Sequence, residues 1–101
     1  MAWQKVARED AIDADIPTAV SVGEQLIALY KVDGQVYGTS NVCTHQFALL
    51  SDGYIDGDCI ECPLHQALFH IPTGKLRSGP TCDDLKTFPI KIEDGEVFVD
   101  C

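Results

Sequence analysis

The stretch Leu26-Ile27-Ala28-Leu29-Tyr30-Lys31-Val32-Asp33-Gly34-Gln35-Val36-Tyr37-Gly38-Thr39, which runs on toward Cys43-Thr44-His45, decides the fold. Two apolar runs rich in β-branched and aromatic residues flank an Asp-Gly pair. That pair closes a tight antiparallel hairpin, because both central residues of such a turn need positive φ. The same grammar repeats outward along the chain. Gln4–Ala7, Ala19–Val22, Cys59–Cys62, Ala67–His70, Thr87–Ile92 and Glu96–Asp100 read as further strands beside Leu26–Val32 and Gln35–Thr39. Glu93-Asp94-Gly95 repeats the hairpin signal, and Asp52-Gly53, Asp56-Gly57 and Thr73-Gly74 mark other turns. Pro17, Pro63, Pro72, Pro80 and Pro89 leave little room for a long helix, so one helical turn near Arg8–Ala11 is expected and no more. The fold class is all-β.

Two short segments carry the chemistry: Cys43-Thr44-His45 and Cys62-Pro63-Leu64-His65, with 16 residues between His45 and Cys62. Each pairs a thiolate with an imidazole, and each follows a strand, so both sit on loops. A segment from Gly53 to Cys59, read as hairpin-like, brings the loops to one tip. Such a donor set has a soft side and a neutral side. It suits a two-iron, two-sulfide cluster whose one iron takes both sulfurs and whose other takes both imidazoles. On the residues alone other readings stay open. Structural zinc also uses two Cys and two His, but usually with both cysteines in one knuckle and both histidines on a helix. A Cys–His nucleophile pair would use only half of the set. A redox pair at Cys59-Ile60-Glu61-Cys62 meets the difficulty that strand residues three apart point to opposite faces. Four unrelated loop or core residues would need two coincidences at matched spacing.

The chain has 101 residues, 46% of them hydrophobic, which gives one domain over 1–101 with a modest core that a metal cluster would staple. Seven basic against 16 acidic residues leave a net charge of −9. Nucleic acid and anionic membrane surfaces need clustered Lys and Arg, so both are excluded as partners. A protein with a basic patch fits, since opposite charge speeds a transient encounter. Five cysteines cannot all pair in disulfides. Neither an apolar leader nor a run long enough to span a bilayer is visible, and a reducing cytoplasm is the expected location.

The two boxes resemble the motif of Rieske iron–sulfur proteins. With Ser51-Asp52-Gly53-Tyr54, Glu61–Gln66, Thr73-Gly74-Lys75 and the Ile90–Val99 hairpin, the whole chain is similar to the small ferredoxins of bacterial aromatic-ring-hydroxylating dioxygenase systems. The resemblance implies a Rieske fold: an antiparallel β-sandwich with a small cluster-binding subdomain, about 41–71, presenting two loops at one tip. It implies one [2Fe-2S] cluster per chain, with Cys43 and Cys62 on one iron and the Nδ1 atoms of His45 and His65 on the other. Amides near 45–48 and 65–67 would donate to the sulfurs, and Gly79-Pro80 resembles the proline-containing loop that covers the cluster. Relatives often carry glycine after each ligand histidine, where this chain has Gln46 and Gln66. The extra cysteines of respiratory members are absent, and Gln66-Ala67-Leu68-Phe69 offers no hydroxyl beside the sulfurs. With the negative charge, this places the expected potential at the low end of about −150 to +300 mV.

Function follows by the same resemblance. Cys59, Cys82 and Cys101 read as ordinary thiols, and His70 as a surface or satisfied histidine. One spare histidine cannot build the mononuclear iron site of an oxygenase, and no Gly-x-Gly-x-x-Gly fingerprint is present. The expectation is therefore a monomeric electron carrier and not an enzyme. It would take single electrons from an NAD(P)H-dependent flavoprotein reductase and pass them, in transient electrostatic encounters, to a terminal aromatic-ring-hydroxylating oxygenase. The alternative is the small Rieske subunit of an assimilatory nitrite reductase.

Overall fold

The computed structural model describes residues 2–44, 48–64, 66–79 and 83–101. The strands are β1 (Trp3–Arg8), β2 (Thr18–Val22), β3 (Gln25–Val32), β4 (Gln35–Ser40), β5 (Tyr54–Asp56), β6 (Cys59–Glu61), β7 (Leu68–His70), β8 (Leu76–Ser78), β9 (Thr87–Phe88), β10 (Ile90–Glu93) and β11 (Glu96–Asp100). Short 3-10 turns cover Glu9–Ala11 and Leu50–Asp52. The all-β expectation holds, and so does the helical turn after β1.

Three antiparallel sheets result, ordered β1-β11-β10, β2-β3-β4-β9 and β5-β6-β7-β8. Both hairpin signals act as expected. Asp33 and Gly34 take φ of 51° and 80°, and Asp94 and Gly95 take 53° and 76°. Ile92 then faces Val97 across one hairpin, and Lys31 faces Val36 across the other.

One expected strand divides. Thr87–Ile92 is two strands, because Pro89 has no N–H to give a ladder. The chain changes sheets there, from β9 beside β4 to β10 beside β11. The segment expected to be hairpin-like, Gly53 to Cys59, carries β5, which pairs antiparallel with β6, and a 3-10 turn at Leu50–Asp52 leads into it; β8 lies where no strand was expected.

Two apolar cores lie on opposite faces of β3. Ile27 and Leu29 join Ile12, Val36, Phe88, Val97 and Val99 between the first two sheets. Ala28, Tyr30 and Val32 join Leu50, Ile60, Phe69, Ile71, Leu85, Cys43 and Cys62 against the third. Ile27 to Tyr30 are all 0% exposed, which explains why β3 reads as an unbroken apolar run instead of an alternating one. The buried Tyr30 hydroxyl is satisfied by the Thr39 hydroxyl at 2.9 Å, which in turn donates to the Ser40 carbonyl. Burial pushes the Tyr30 phenol well above its usual range, so it stays protonated.

Candidate metal centre

Each cysteine of the two boxes opens a loop that closes on an alanine five residues later. The Cys43 amide donates to the Ala48 carbonyl at 2.9 Å, and the Cys62 amide to the Ala67 carbonyl at 2.8 Å. Ala48 and Ala67 are buried, so these small residues let both loop bases enter one core. Cys43 and Cys62 are 3% and 0% exposed and belong to that same core. His45 and His65, the other two expected ligands, lie outside the described residues, as do Gln46, Phe47 and Pro80.

The base of the first loop is held by Asn41, a buried amide with every group engaged. Its Oδ1 accepts from the Ser51 amide at 2.8 Å and its Nδ2 donates to the Ser51 hydroxyl at 3.0 Å. Its backbone N–H donates to Leu26 and its carbonyl accepts from Leu50. A buried side chain bonded this fully fixes where the loop begins. Gly53 then turns the chain into β5, with no space for a side chain: a Cβ there would lie 2.1 Å from the Glu61 carbonyl oxygen.

The second loop turns through Pro63 and Leu64, the latter 58% exposed at its outer end. Gln66 closes it in the left-handed region, φ 57°, which glycine adopts more readily. Its amide donates to the Cys62 carbonyl at 3.1 Å, which closes the loop on itself. Gly79 presses on this loop, since a Cβ there would come 2.8 Å from the Ala67 Cα.

Residues 83–86 strap the first loop to the small sheet. The Thr44 hydroxyl donates to the Asp83 carbonyl, and the Leu76 amide to the Asp84 carboxylate at 2.9 Å. The Leu85 amide bonds the Gly74 carbonyl at 2.7 Å, and the Ser40 amide the Lys86 carbonyl at 2.8 Å. Sequence reading missed both Asn41 and this strap. Their partners lie 10 and 39 residues away, and no local pattern announces them.

The remaining histidine is satisfied, as expected. His70 Nε2 donates to Asp58 at 3.0 Å, its Nδ1 meets the Thr73 hydroxyl at 2.8 Å, and its side chain is 15% exposed. The Cys59 thiol also points at Asp58, 3.4 Å away. That hydrogen bond, helped by His70, holds the Asp58 carboxyl below the usual carboxylate range. Burial first, and then the adjacent carboxylate, push the Cys59 thiol up, so it is a poor nucleophile.

This donor set suits an iron–sulfur cluster. Two thiols share one apolar core, where thiolates need a compensating cation, and each loop carries a histidine onward from its cysteine. The comparisons with known proteins agree. The Rieske [2Fe-2S] domain family matches residues 2–89, and the chain belongs to it. A domain of this family holds one two-iron, two-sulfur cluster.

Within that family the likeness is to small ferredoxins. The chain is 44% identical over 97 residues to the ferredoxin component of the naphthalene 1,2-dioxygenase system of Pseudomonas putida, covering 96% of this chain and 92% of that one. The Sphingomonas yanoikuyae B1 ferredoxin superposes with a TM-score of 0.94 at 40% identity, covering 99% of each chain. A chain in the complex of reduced oxygenase and oxidized ferredoxin of carbazole 1,9a-dioxygenase follows at 0.90 and 38%, covering 96% of this chain and 100% of that one. A nitrite reductase small-subunit protein superposes at 0.81 but is only 23% identical over the full length of both chains, a likeness of fold alone. Among the described residues no helix is long and apolar enough to cross a membrane.

Proposed function

We propose that this chain is the electron-carrying ferredoxin of an aromatic-ring-hydroxylating dioxygenase system. It takes single electrons from an NAD(P)H-dependent flavoprotein reductase and gives them to the terminal oxygenase, in the cytoplasm, as a monomer serving aromatic hydrocarbon catabolism. It is a carrier and performs no substrate chemistry. Cys43 and Cys62 ligate one iron and His45 and His65 the other, within a cluster-binding subdomain of about residues 41–71. The cluster supplies a reversible one-electron couple; its neutral imidazoles favour reduction of their own iron.

The protein's own residues shape that exchange. The two thiols are drawn into the core beneath the tip, while Leu64 is exposed above them. This single observation supports the reading, since two cysteines gathered in one apolar core at the bases of their loops suit a shared cluster. Asn41 and the 83–86 strap hold the loop bases still, which keeps reorganisation small when charge changes.

Anaerobic titration tests the assignment. The purified protein should be red-brown, give a rhombic EPR signal on reduction, and mediate electron flow from the reductase to the oxygenase of its own system. Its midpoint potential should fall in the low part of the Rieske range; a value above about +100 mV by voltammetry would contradict the environment read here. A colourless protein holding one zinc would sink the ligand assignment. Co-purification with a large sirohaem subunit would instead favour the nitrite reductase reading.

A further inference from the structure

The small sheet has an outward face that the electron-carrying centre does not use. Its register puts Ile55, Ile60, Phe69 and Leu76 in one row, which packs into the core. The row above it, Tyr54–Glu61–Leu68–Ser78, therefore points the other way, because successive strand residues alternate faces. This outward row borders the tip. Glu61 precedes Cys62, Leu68 follows Ala67, and Ser78 precedes Gly79.

Tyr54 is 66% exposed, more than any other large hydrophobic side chain among the described residues. It stands on β5, an edge strand of its sheet. Trp3, on the far sheet, shows that an exposed aromatic can be covered locally: Lys91 caps its ring at 4.8 Å. No cation caps Tyr54 among the described contacts. Carboxylates frame it instead, with exposed Asp52 and Asp56 on either side and Glu61 directly across. Lys75 and Arg77 lie at the opposite, β8, edge. The β5 edge is thus acidic, whereas the β8 edge carries both signs, since the Asp84 carboxylate lies on the Leu76 amide.

We infer that Tyr54, Glu61 and Leu68 form a docking wall for a protein partner whose Arg or Lys side chains flank an apolar recess. This deepens the electron-carrier reading and rests on it. A buried tyrosine is a strong anchor because it hides much surface while freezing few torsions. The acidic frame selects a cationic partner. A second copy is the wrong occupant, since each would bring the same acidic frame and a net charge of −9.

The test is electron transfer with the purified reductase and oxygenase of the system, using Tyr54→Ala, Glu61→Gln and, as control, Trp3→Ala. Tyr54→Ala should raise the ferredoxin KM about tenfold with at least one of the two while kcat, visible spectrum and potential hold. Glu61→Gln should raise it less and flatten its salt dependence, and Trp3→Ala should leave it unchanged. A KM for Tyr54→Ala within twofold of wild type with both proteins would falsify the docking wall. So would wild-type dimerisation, seen by sedimentation and lost in Tyr54→Ala, since the face would then serve self-association. A wild-type protein that carries no electrons between them overturns the carrier reading itself, and the docking wall falls with it.

Discussion

The two-sheet base and the small four-stranded sheet are built on different principles, although β3, a strand of the base, lines the cores of both. The base has the longer strands, including β3 over eight residues and β1 and β4 over six, and its core is almost wholly aliphatic. The small sheet is made of strands of three residues each. Its core includes both box cysteines and two alanines that seat loops. Strands that short pair weakly alone. They depend on Phe69, Ile60 and Ile71 below, on the 83–86 strap beside them, and on the metal centre above. The base is a scaffold that holds itself; the tip is a fitting that needs its cargo.

Removing the cargo should separate the two most sharply. Cys43→Ala should abolish the visible chromophore, and hydrogen exchange should then show β5–β8 losing protection while β3, β4 and β11 keep theirs. Equal loss in the base would break the distinction, and an unchanged spectrum would refute Cys43 as a ligand.

Core truncations come next. Phe69→Ala should cost about 3–5 kcal/mol and Leu29→Ala about 2–5 kcal/mol, by denaturant melts. Only Phe69→Ala should hasten bleaching by a chelator. Should Leu29→Ala bleach as fast, the two cores are not independent.

Gln66→Gly relieves a left-handed residue at the closure of the second loop, and should stabilise the protein by up to about 1 kcal/mol in a urea melt. Any destabilisation would mean that the Gln66 side chain has contacts worth more than the backbone relief.

The smallest effect concerns Asp58. Its carboxyl is held low when folded, so the stability it lends is present above the ordinary carboxylate range and is lost as pH falls through the folded value. Asp58→Asn should therefore narrow the gap between melts at neutral and acidic pH. A gap as wide as in wild type would show that other carboxylates set the acid limb.

Legibility divides along the same line. In the base, Asp33-Gly34 and Asp94-Gly95 could be read directly, because positive φ is a demand that local sequence alone can meet. The error at Pro89 came from joining two β-branched runs across a residue without an N–H. In the small sheet, Tyr54–Asp56 and Leu76–Ser78 are too short to display a period of two, so neither stood out as a strand. The donors were legible because metal chemistry fixes residue types at short spacing. Asn41 and Thr44 were opaque as supports because each acts on a neighbour brought close only by the fold, and Gly79 was legible only through the resemblance, as part of a covering loop.

The two faces of β3 have a practical consequence. Ile27 and Leu29 address one core while Ala28 and Tyr30 address the other, so adjacent codons govern separate properties. A library varying only the first pair would explore thermal tolerance while leaving the redox end of the molecule nearly untouched. Varying the second pair would do the reverse. An engineer wanting a sturdier carrier at the same potential should begin with every other residue of a single strand.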